Sequence, residues 1–464
     1  MLIADLKALL GIDAVLGPDD DIDRYVSEPR GRFGSRPAAV ARPESVEQVS
    51  RLVGFCRQER VPIIAQGGHT GLVGGGAAAQ GREVIVSLDR MRRIRSIDPA
   101  DASMVVEAGC SLAAVREAAA AHGFMYPVSL ASEGTATIGG TIATNAGGNL
   151  TIRYGNTRRQ VLGLEVVLAD GRCFSELSPL RKDNSGYDLK QLFIGAEGTL
   201  GIITAATLAL VSQPAQQVTA MAATKSLEDG LDLLAQLRRR LGETLSACEF
   251  MPRLAMDFVL DHLENARDPF DRPWPWYVLI QADSSLPGRG LEDAVLEALE
   301  ATVDASIAGE VVVADQPARA AELWRLRESI SAAQASGGVS LKHDISVPVG
   351  RIPQFVARAV EALAEAVPGI RPCIFGHLGD GNLHFNLSQP PGLSGDEFRA
   401  QESTCNRIVF DLVRDFSGSI AAEHGIGTLR RDELAAGQPL KVELMRRVKQ
   451  ALDPDGLLNP GKVI

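Results

Sequence analysis

The sequence lacks the features that mark membrane-spanning and nucleic-acid-binding proteins. No apolar run is long enough to span a bilayer, and the first residues, MLIADLKALLG, have neither a basic start nor a long apolar stretch. They predict a short amphipathic helix rather than a signal peptide. Basic residues are not in excess either, because the formal net charge is −11 and the pI is about 5.3. This balance argues against nucleic acid or an anionic membrane as a main partner.

Cysteine pairs and nucleotide fingerprints are also missing. The six cysteines are scattered and form no CxxC pair, so we interpret them as reduced thiols of a cytoplasmic protein. No glycines follow the i, i+2, i+5 spacing of the Rossmann fingerprint, and no NAD site is visible. There is no internal repeat or low-complexity linker, and 464 residues predict at least two domains.

The pattern of residues divides the chain into three regions. Residues 1–210 contain short β segments, glycine-rich loops and helices, and are predicted to form the first domain. Residues 211–395 alternate predicted strands such as WYVLIQAD with amphipathic helices such as SLEDGLDLLAQLRRRL. This pattern favours an α+β layer in which helices pack on one face of a mainly antiparallel sheet. Residues 396–464 are predicted to be largely helical.

The most informative segment is FGHLGDGNLHFN at 375–386, which is complemented downstream by AAEHGIG at 421–427. Alternation in LHFNL places the apolar residues on one side of a strand and His384 and Asn386 on the other. The Gly-Asp-Gly turn can bring His377 beside His384. Imidazoles and a carboxylate are ligands that a catalytic divalent metal takes when one position stays open. From spacing alone, ordinary hydrogen-bonded histidines are an equal alternative.

Three glycine-rich loops occur in the first region. They are PIIAQGGHTGLVGGGA at 62–77, SEGTATIGGTIATNAGGN at 132–149 and FIGAEGTLGIIT at 193–204. Each loop alone is explained by an ordinary cluster of turns. Together they predict a long ligand that lies against the backbone, as a dinucleotide does, because backbone amides in such loops can cradle phosphates.

The three loops resemble those of a flavoprotein family, and so do four further segments. These are RYGNTRRQVLGLEVVLADG, which lies between the second and third loops, and then GHLGDGNLHFNL, AAEHGIG and LLNPGK in this order. The family is the FAD-linked D-2-hydroxyacid dehydrogenases of the vanillyl-alcohol-oxidase/p-cresol-methylhydroxylase superfamily. Within it the chain is most similar to D-2-hydroxyglutarate dehydrogenases, with D-lactate dehydrogenases and glycolate oxidase subunits as neighbours. The resemblance implies a two-lobed FAD-binding domain of the p-cresol-methylhydroxylase type and a substrate-binding cap domain with an antiparallel sheet covered by helices. It also implies a helical C-terminal segment that packs back on the FAD domain.

The resemblance implies that FAD contacts all three loops and the C-terminal NPGK loop. The first loop would hold the pyrophosphate, the second would flank the flavin, and the third would lie near the adenosine part. The implied cofactor-binding residues are Gln66, Gly67, Gly68, His69, Thr70, Gly71, Ser132, Gly134, Thr137, Gly140, Asn145, Glu197, Gly198, Ile202 and Asn459. His69 stands where the family more often has asparagine. A covalent bond from His69 to the flavin is therefore an alternative to an ordinary hydrogen-bonding role.

The resemblance also implies a zinc-type metal site formed by His377, His384 and Glu423. A 2-hydroxyacid would chelate this metal through its hydroxyl and carboxylate groups, which lowers the pKa of the hydroxyl. His424 would contact the substrate and accept the hydroxyl proton as general base. Hydride would pass from the α-carbon to FAD and leave the 2-oxoacid. Asn386 would hold the polar end of the substrate.

Three further residues are implied to bind the second carboxylate of the substrate. Arg327 lies in a predicted helix over 318–334, with Ser331 one turn on and on the same face. Lys342 follows on a predicted strand, on the face opposite to its apolar residues. An arginine and a lysine suit a dicarboxylate better than lactate. We therefore expect oxidation of D-2-hydroxyglutarate to 2-oxoglutarate, although a surface arginine and an edge-strand lysine explain the same residues.

Several alternatives stay open at this point. The substrate could instead be D-lactate or another D-2-hydroxyacid, and a metal-dependent hydrolase or an inert FAD-binding subunit would be a different class of protein. The metal ligands suit zinc, manganese and cobalt. The expected electron acceptor is an electron-transfer flavoprotein, a quinone or a cytochrome, and a homodimer is the default assembly.

Overall fold

A computed structural model describes residues 2–288 and 290–464. The chain forms two compact units. Unit 1 contains the chain as far as Gly148, Gly155–Gln213 and Glu423–Ile464, and unit 2 contains Asn149–Tyr154 and Pro214–Ala422. The C-terminal residues thus belong to the same unit as the N-terminal ones. The three-part division with limits at 210 and 395 stays a prediction.

The strands of unit 1 form two sheets and a two-stranded ribbon. They are β1 (Val15–Leu16), β2 (Ala39–Ala41), β3 (Ile63–Gln66), β4 (Val84–Ser87), β5 (Ile94–Asp98), β6 (Ser103–Glu107), β7 (Phe124–Met125), β8 (Val161–Val167), β9 (Cys173–Glu176), β10 (Ile202–Ala209) and β11 (Val211–Ser212). The first sheet has the order β1–β2–β4–β3, with β2 and β3 parallel to β4. The second has the order β5–β6–β10–β8–β9 and is antiparallel.

Helices occur along the whole chain. They are α1 (Leu2–Leu10), α2 (Asp23–Val26), α3 (Val46–Gln58), α4 (Leu112–Ala120), α5 (Ile138–Thr144), α6 (Thr151–Tyr154), α7 (Thr157–Gln160), α8 (Lys190–Phe193), α9 (Leu227–Leu241), α10 (Arg253–His262), α11 (Leu291–Asp304), α12 (Pro317–Glu328), α13 (Ile330–Ser336), α14 (Ile352–Ala366), α15 (Gly395–Arg399), α16 (Glu402–Asp415), α17 (Arg431–Gly437) and α18 (Pro439–Leu452). Helix α1 confirms the predicted N-terminal helix. None of the helices in the described residues has the length and apolarity that crossing a membrane requires.

The core of unit 1 lies between α3 and the sheets. Val49, Leu52, Val53 and Cys56 are buried at the i, i+3, i+4, i+7 spacing of one helix face. Ser45 caps this helix by accepting a hydrogen bond from the backbone N–H at its third position. Burying one leucine side chain in such a core stabilises the fold by about 1.5–3 kcal/mol. The same core contains Ile63 of β3, the strand that leads into the first glycine loop.

The strands of unit 2 form one antiparallel sheet of seven strands. They are β12 (Gln216–Thr224), β13 (Leu245–Pro252), β14 (Trp276–Ser284), β15 (Glu310–Val313), β16 (Ser340–Ser346), β17 (Arg371–His377) and β18 (Asn382–Ser388). Their order is β15–β12–β14–β13–β17–β18–β16. The antiparallel sheet predicted from the alternating strand and helix pattern is therefore confirmed.

Helices cover both faces of this sheet, whereas the sequence predicted helices on one face. On one face, α10, α12 and α13 share a core with Tyr277 and Phe375. On the other face, Phe355 of α14 packs edge-to-face on Phe385, with ring centroids 5.8 Å apart. The reason lies in the central strands, because β13 and β14 are buried at nearly every position. A strand that is apolar on both sides needs cover on both sides.

The helix predicted over 318–334 is broken at Ser329, so the prediction of one continuous helix was wrong. The Ser329 N–H closes the last turn of α12 on the Arg325 carbonyl, and α13 begins at the next residue. Serine favours such ends because its side chain competes for local backbone groups. The break separates the surroundings of two predicted site residues. Arg327 is buried whereas Ser331 is exposed.

Candidate active site

Polar side chains line one face of the unit 2 sheet on four adjacent strands. Glu249 on β13 lies opposite His377 on β17, and Asn386 on β18 lies opposite Lys342 on β16. His384 precedes Asn386 by two positions on β18 and so points to the same side. Directly opposed residues in an antiparallel ladder project to the same face. We call these five residues the polar face.

The two histidines of the polar face lie on a tight hairpin between β17 and β18. Ring nitrogens of His377 and His384 are within 4.8 Å of each other, and the ring centroids are 5.4 Å apart. Gly381 in the turn has a φ of +86°, and a Cβ there would lie 2.2 Å from the Val347 carbonyl oxygen. The turn therefore requires glycine. Two imidazole nitrogens this close to each other are suited to binding one divalent metal.

A buried carboxylate connects two residues that the sequence assigned to separate tasks. Glu249 Oε1 accepts a hydrogen bond from His377 Nδ1 at 2.7 Å. Its Oε2 accepts from Arg327 Nε at 3.0 Å and Nη2 at 2.8 Å. Burial favours a raised pKa for the Glu249 carboxyl, but the adjacent His377 and Arg327 hold its pKa below the usual value. Glu249 is therefore ionised and holds both side chains in place.

Arg327 is positioned by this carboxylate and by an aromatic ring. Only 7% of its surface is exposed, and its guanidinium carbon lies 4.9 Å from the centroid of the Phe375 ring. A planar guanidinium stacked on a ring keeps a fixed orientation. The structure thus places Arg327 beside the polar face, as a residue that binds a carboxylate there requires. Ser331 is exposed and does not share this buried setting.

Sequence analysis missed Glu249 and Gln334. Gln334 on α13 accepts a hydrogen bond from Asn386 Nδ2 at 2.8 Å and donates to Ser388 Oγ at 2.8 Å. It therefore fixes the amide of Asn386 on the polar face. The signal for Glu249 was available, because a lone carboxylate in the apolar strand SACEFM is rarely buried without a partner. Gln334 carried no comparable signal.

The chain passes from unit 2 to unit 1 at Glu423, the residue before His424. Ala422, the last residue of unit 2, donates its N–H to the Asp344 carbonyl at 3.2 Å. Asp344 is the residue opposite His384 in the ladder. Glu423 follows by one peptide bond and begins unit 1, where its Oε1 accepts a hydrogen bond from the Gly148 N–H at 2.7 Å. His424 comes next and is half-buried.

Glu197 supports the glycine-rich loop that follows His424. Its two carboxylate oxygens accept hydrogen bonds from the N–H groups of Ile426 at 2.7 Å and Gly427 at 2.9 Å. A Cβ at Gly425, whose φ is +81°, would lie 2.7 Å from the same carboxylate. Burial raises the pKa of Glu197 to about 7, although both backbone hydrogen bonds oppose this. Asn459 Nδ2 donates to the Glu197 carbonyl at 2.6 Å.

The glycines of the first two loops lie in two different surroundings. A Cβ at Gly67 would lie 2.2 Å from Thr137 Oγ1, and one at Gly68 would lie 1.9 Å from a backbone carbonyl of the second loop. These glycines let the two loops pack together. At Gly71 and Gly134 a Cβ would meet nothing within 4 Å. Among the described residues, none fills the space beside the backbone at those two positions, so a ligand can approach it there.

Unsatisfied buried acceptors in unit 1 also fit FAD. Gln66 Oε1 and Asn459 Oδ1 are buried and have no hydrogen-bond partner among the described residues. Buried polar atoms almost always have a partner. FAD carries hydroxyl and ring N–H donors, so these acceptors are suited to it.

Four other predicted cofactor residues shape the second and third loops. Thr137 caps α5 by accepting a hydrogen bond from Gly140, and Asn145 ends it in a left-handed conformation with a φ of 51°. Ser132 accepts backbone hydrogen bonds in the turn before α5. Ile202 begins β10 and is buried in the core of unit 1. Their contacts with FAD stay predictions.

His69 is held with its ring against Gln66. Its φ is +53°, and its Nδ1 lies 3.2 Å from Gln66 Nε2. Burial lowers the pKa of His69, while a hydrogen bond to the Val26 backbone and the charge of Glu28 oppose the shift. The Gln66 amide nitrogen also donates to the carbonyls of Tyr25 and Gly76. On the other side of the ring, His69 Nε2 is buried and has no hydrogen-bond partner among the described residues.

We expect FAD to be bound without a covalent link. We interpret His69 as a loop residue whose ring packs against Gln66, with Nδ1 3.2 Å from the amide nitrogen. Precipitation of the purified protein with acid should release all of the flavin absorbance into the supernatant, and the intact protein should have the mass of the bare chain. His69→Asn should leave this release unchanged. A flavin that stays in the pellet for the wild type and not for His69→Asn would contradict the expectation.

Two family models of FAD-binding proteins match this chain. The model for FAD linked oxidases, C-terminal domain, matches residues 213–463, and the model for an FAD binding domain matches residues 37–175. The first match alone covers more than half of the chain. The chain belongs to the FAD-linked oxidase family. The resemblance inferred from the loops is confirmed, and so is FAD as its cofactor.

Relatives of this FAD-linked oxidase share its whole length. It is 38% identical over 444 residues to D-2-hydroxyglutarate dehydrogenase of Xanthomonas citri pv. viticola, covering 96% of this chain and 92% of that one. It is 36% identical over 463 residues to D-2-hydroxyglutarate dehydrogenase of Stutzerimonas stutzeri, covering 100% and 98%. The FAD-linked oxidase is therefore a FAD-dependent dehydrogenase.

Solved structures confirm the predicted fold class. p-Cresol methylhydroxylase with substrate bound superposes with a TM-score of 0.78 at 19% identity, covering 99% of this chain and 96% of that one. Alkyldihydroxyacetonephosphate synthase gives a TM-score of 0.74 at 17% identity, covering 99% and 85%. At these identities the likeness establishes the fold alone.

Proposed function

We propose that this FAD-linked oxidase oxidises D-2-hydroxyglutarate to 2-oxoglutarate with the help of a divalent metal. The observation that carries the proposal is the polar face, where two close imidazoles, an amide and a lysine share one side of a sheet beside Arg327. The relatives that bear the name D-2-hydroxyglutarate dehydrogenase support the same substrate.

The spacing along β16 and β18 favours a five-carbon diacid. Successive residues on one face of a strand are about 7 Å apart. The pair Lys342–Asn386 is one such step from the pair Asp344–His384. A substrate held near His384 by its hydroxyl and first carboxylate would reach Lys342 with its second carboxylate, which two methylene groups separate from the hydroxyl carbon. Lactate has no group to place there.

The metal ligands in this proposal are His377, His384 and Glu423. The two histidines supply neighbouring nitrogens, and the backbone bond from Ala422 to Asp344 brings the chain beside His384 one residue before Glu423. Two imidazoles and a carboxylate leave positions open for a substrate. This set suits zinc and several other divalent ions.

The chain's own residues bind the substrate and move one proton. When bound, the metal supplies Lewis acidity at the substrate hydroxyl and FAD supplies the hydride acceptor. His424 accepts the hydroxyl proton as the α-carbon loses hydride and the C=O bond forms. Arg327 and Lys342 hold the far carboxylate, and Asn386 orients the polar end with its amide fixed by Gln334.

The first test is anaerobic mixing of the FAD-loaded protein with D-2-hydroxyglutarate while the visible flavin absorbance is followed. Prompt bleaching that a chelator abolishes and that the L-enantiomer does not cause would support the substrate, metal and stereochemistry together. Bleaching by D-lactate alone would keep the chemistry and reject the diacid. A protein that no hydroxyacid reduces would favour an inert FAD-binding subunit, and metal-dependent hydrolase activity would replace the proposal altogether.

Lys342→Ala should raise the KM for D-2-hydroxyglutarate and lower kcat/KM by about 10–100-fold. The reason is that the variant loses a charge-assisted hydrogen bond to the far carboxylate, and such a bond contributes about 1.5–3 kcal/mol. Steady-state kinetics with D-2-hydroxyglutarate and with D-lactate measure it, and the D-lactate values should hardly change. Lys225→Ala, at an exposed lysine of the same unit, is the control. Equal losses on both substrates would remove Lys342 from the far-carboxylate site.

Three further predictions belong to this proposal. The reduced FAD passes its electrons to an electron-transfer flavoprotein, a quinone or a cytochrome. The protein is a homodimer. Its location is cytoplasmic. Several relatives carry the word mitochondrial in their names, including the one from Bos taurus at 37% identity. Acceptor assays and light scattering on the purified protein address the first two.

A further inference from the structure

We propose that Glu249 is a positioning residue that couples metal binding to recognition of the substrate's far carboxylate. It would orient His377 toward the metal with one oxygen and Arg327 toward the substrate with the other. The inference rests on the proposed function, because it takes His377 as a metal ligand and Arg327 as a substrate-binding residue.

The two oxygens of Glu249 have separate partners. Oε1 accepts a hydrogen bond from His377 Nδ1 at 2.7 Å, and Oε2 accepts from Arg327 Nε at 3.0 Å and Nη2 at 2.8 Å. The residue is only 1% exposed, so water cannot replace either partner. A carboxylate is planar and rigid, and turning it to suit one partner displaces the other. The positions of the two side chains are therefore linked through this one group.

Each partner gains a defined orientation from Glu249. Donation from His377 Nδ1 selects the tautomer whose Nε2 lone pair is available to a metal, and such carboxylate–histidine pairs raise the basicity of the ligand. Arg327 uses Nε and Nη2 for Glu249, and its ring contact with Phe375 fixes the plane of the guanidinium. The edge that carries Nη1 is thereby turned away from Glu249, where a carboxylate can be bound.

The alternative is a buried ion pair that serves stability alone. Such pairs are common, and removing one partner is strongly destabilising. This alternative predicts that substitutions at Glu249 or Arg327 lower the melting temperature but leave the metal affinity of the folded protein unchanged. Metal affinity therefore separates the two interpretations without any measurement of turnover.

The test compares the zinc affinity of metal-stripped protein variants in competition with a chromophoric chelator. Glu249→Gln should weaken zinc binding by about 10–100-fold, as the loss of a carboxylate behind a histidine ligand does. Asp283→Asn is the matched control, since Asp283 is a carboxylate in the same sheet that is also 1% exposed. Circular dichroism and FAD content establish that each variant is folded.

A second pair of variants tests the coupling without changing the carboxylate. Arg327→Lys and Lys342→Ala should both raise the KM for D-2-hydroxyglutarate. Only Arg327→Lys should also weaken zinc binding, because Arg327 shares Glu249 with His377, whereas Lys342 lies on the edge strand β16, which β17 and β18 separate from β13. This pair decides the matter even if Glu249→Gln does not fold.

Two outcomes would overturn the inference. One is a zinc affinity in Glu249→Gln and Arg327→Lys equal to that of the wild type, and the other is a wild-type protein that binds no divalent metal. A wild type that binds zinc but ignores D-2-hydroxyglutarate would instead reject the proposed substrate. In that case the loss of zinc affinity in Glu249→Gln would still show that the carboxylate orients His377.

Discussion

His424→Gln should slow the reduction of FAD by D-2-hydroxyglutarate by about 10²–10⁴-fold, the usual contribution of a general base. Glutamine can hydrogen-bond to the hydroxyl but cannot take its proton at neutral pH. Stopped-flow mixing under anaerobic conditions measures the step directly, because one turnover bleaches the flavin.

Three controls restrict this result to proton transfer. FAD and zinc contents of His424→Gln should equal those of the wild type, since the proposed ligands are His377, His384 and Glu423. His122→Gln, at an exposed histidine of unit 1, should reduce at the wild-type rate. A variant at His424 that keeps the wild-type rate would assign the proton to another group, and one that lost its metal would place His424 among the ligands.

The second large effect concerns stability and comes from Glu197. Its folded-state pKa of about 7 is above the 4.5 of a free carboxyl. Between these values the unfolded chain is ionised while the folded protein keeps the proton. The contribution of Glu197 to the free energy of unfolding is therefore complete below about pH 4.5 and is lost as the pH rises to about 7. Above that pH the free energy of unfolding no longer depends on this group. The total is on the order of 3 kcal/mol, from the shift at 1.36 kcal/mol per unit.

Thermal and urea unfolding between pH 4.5 and 8 measure this contribution. Glu197→Gln keeps an acceptor for one backbone N–H and cannot ionise, so its stability should change less over the interval than that of the wild type. Glu176→Gln, at an exposed carboxylate of unit 1, should follow the wild type. If the wild type and Glu197→Gln show parallel pH dependences, Glu197 is not the group responsible.

The hairpin with the two histidines was predictable because its information is local. Alternation in LHFNL separates apolar from polar residues, and the glycine turn follows directly from the intervening sequence. The structure places the side chains of β18 on the two sides as predicted. The central strands of unit 2 were also recognisable, because each is a short apolar run between turns.

The partners of Glu249 could not be found in this way. His377 is 128 positions away in the chain and Arg327 is 78 positions away. Only the order of strands in the sheet brings them together, and that order is set by packing across the whole unit. The same applies to Glu197, which the resemblance placed near the adenosine and the structure shows holding the loop after His424.

Glycine positions were predictable as a group but not one by one. Sequence analysis treated Gly67, Gly68 and Gly71 alike as contacts of the pyrophosphate. The structure separates them, because the first two are required where two backbones touch and the third borders open space. In a sequence, a glycine that lets two loops approach each other cannot be distinguished from one that makes room for a ligand.

The alternation of β18 limits how the chain can change in length. One residue inserted into the turn at Gly379–Gly381 would exchange the two sides of the strand, sending His384 toward the aromatic core and Phe385 toward the substrate. Such an insertion would alter every contact of the strand at once, whereas the exposed segment 180–189 carries no such constraint. Homologues and engineered libraries should therefore vary freely in length at 180–189 and keep the hairpin at constant length.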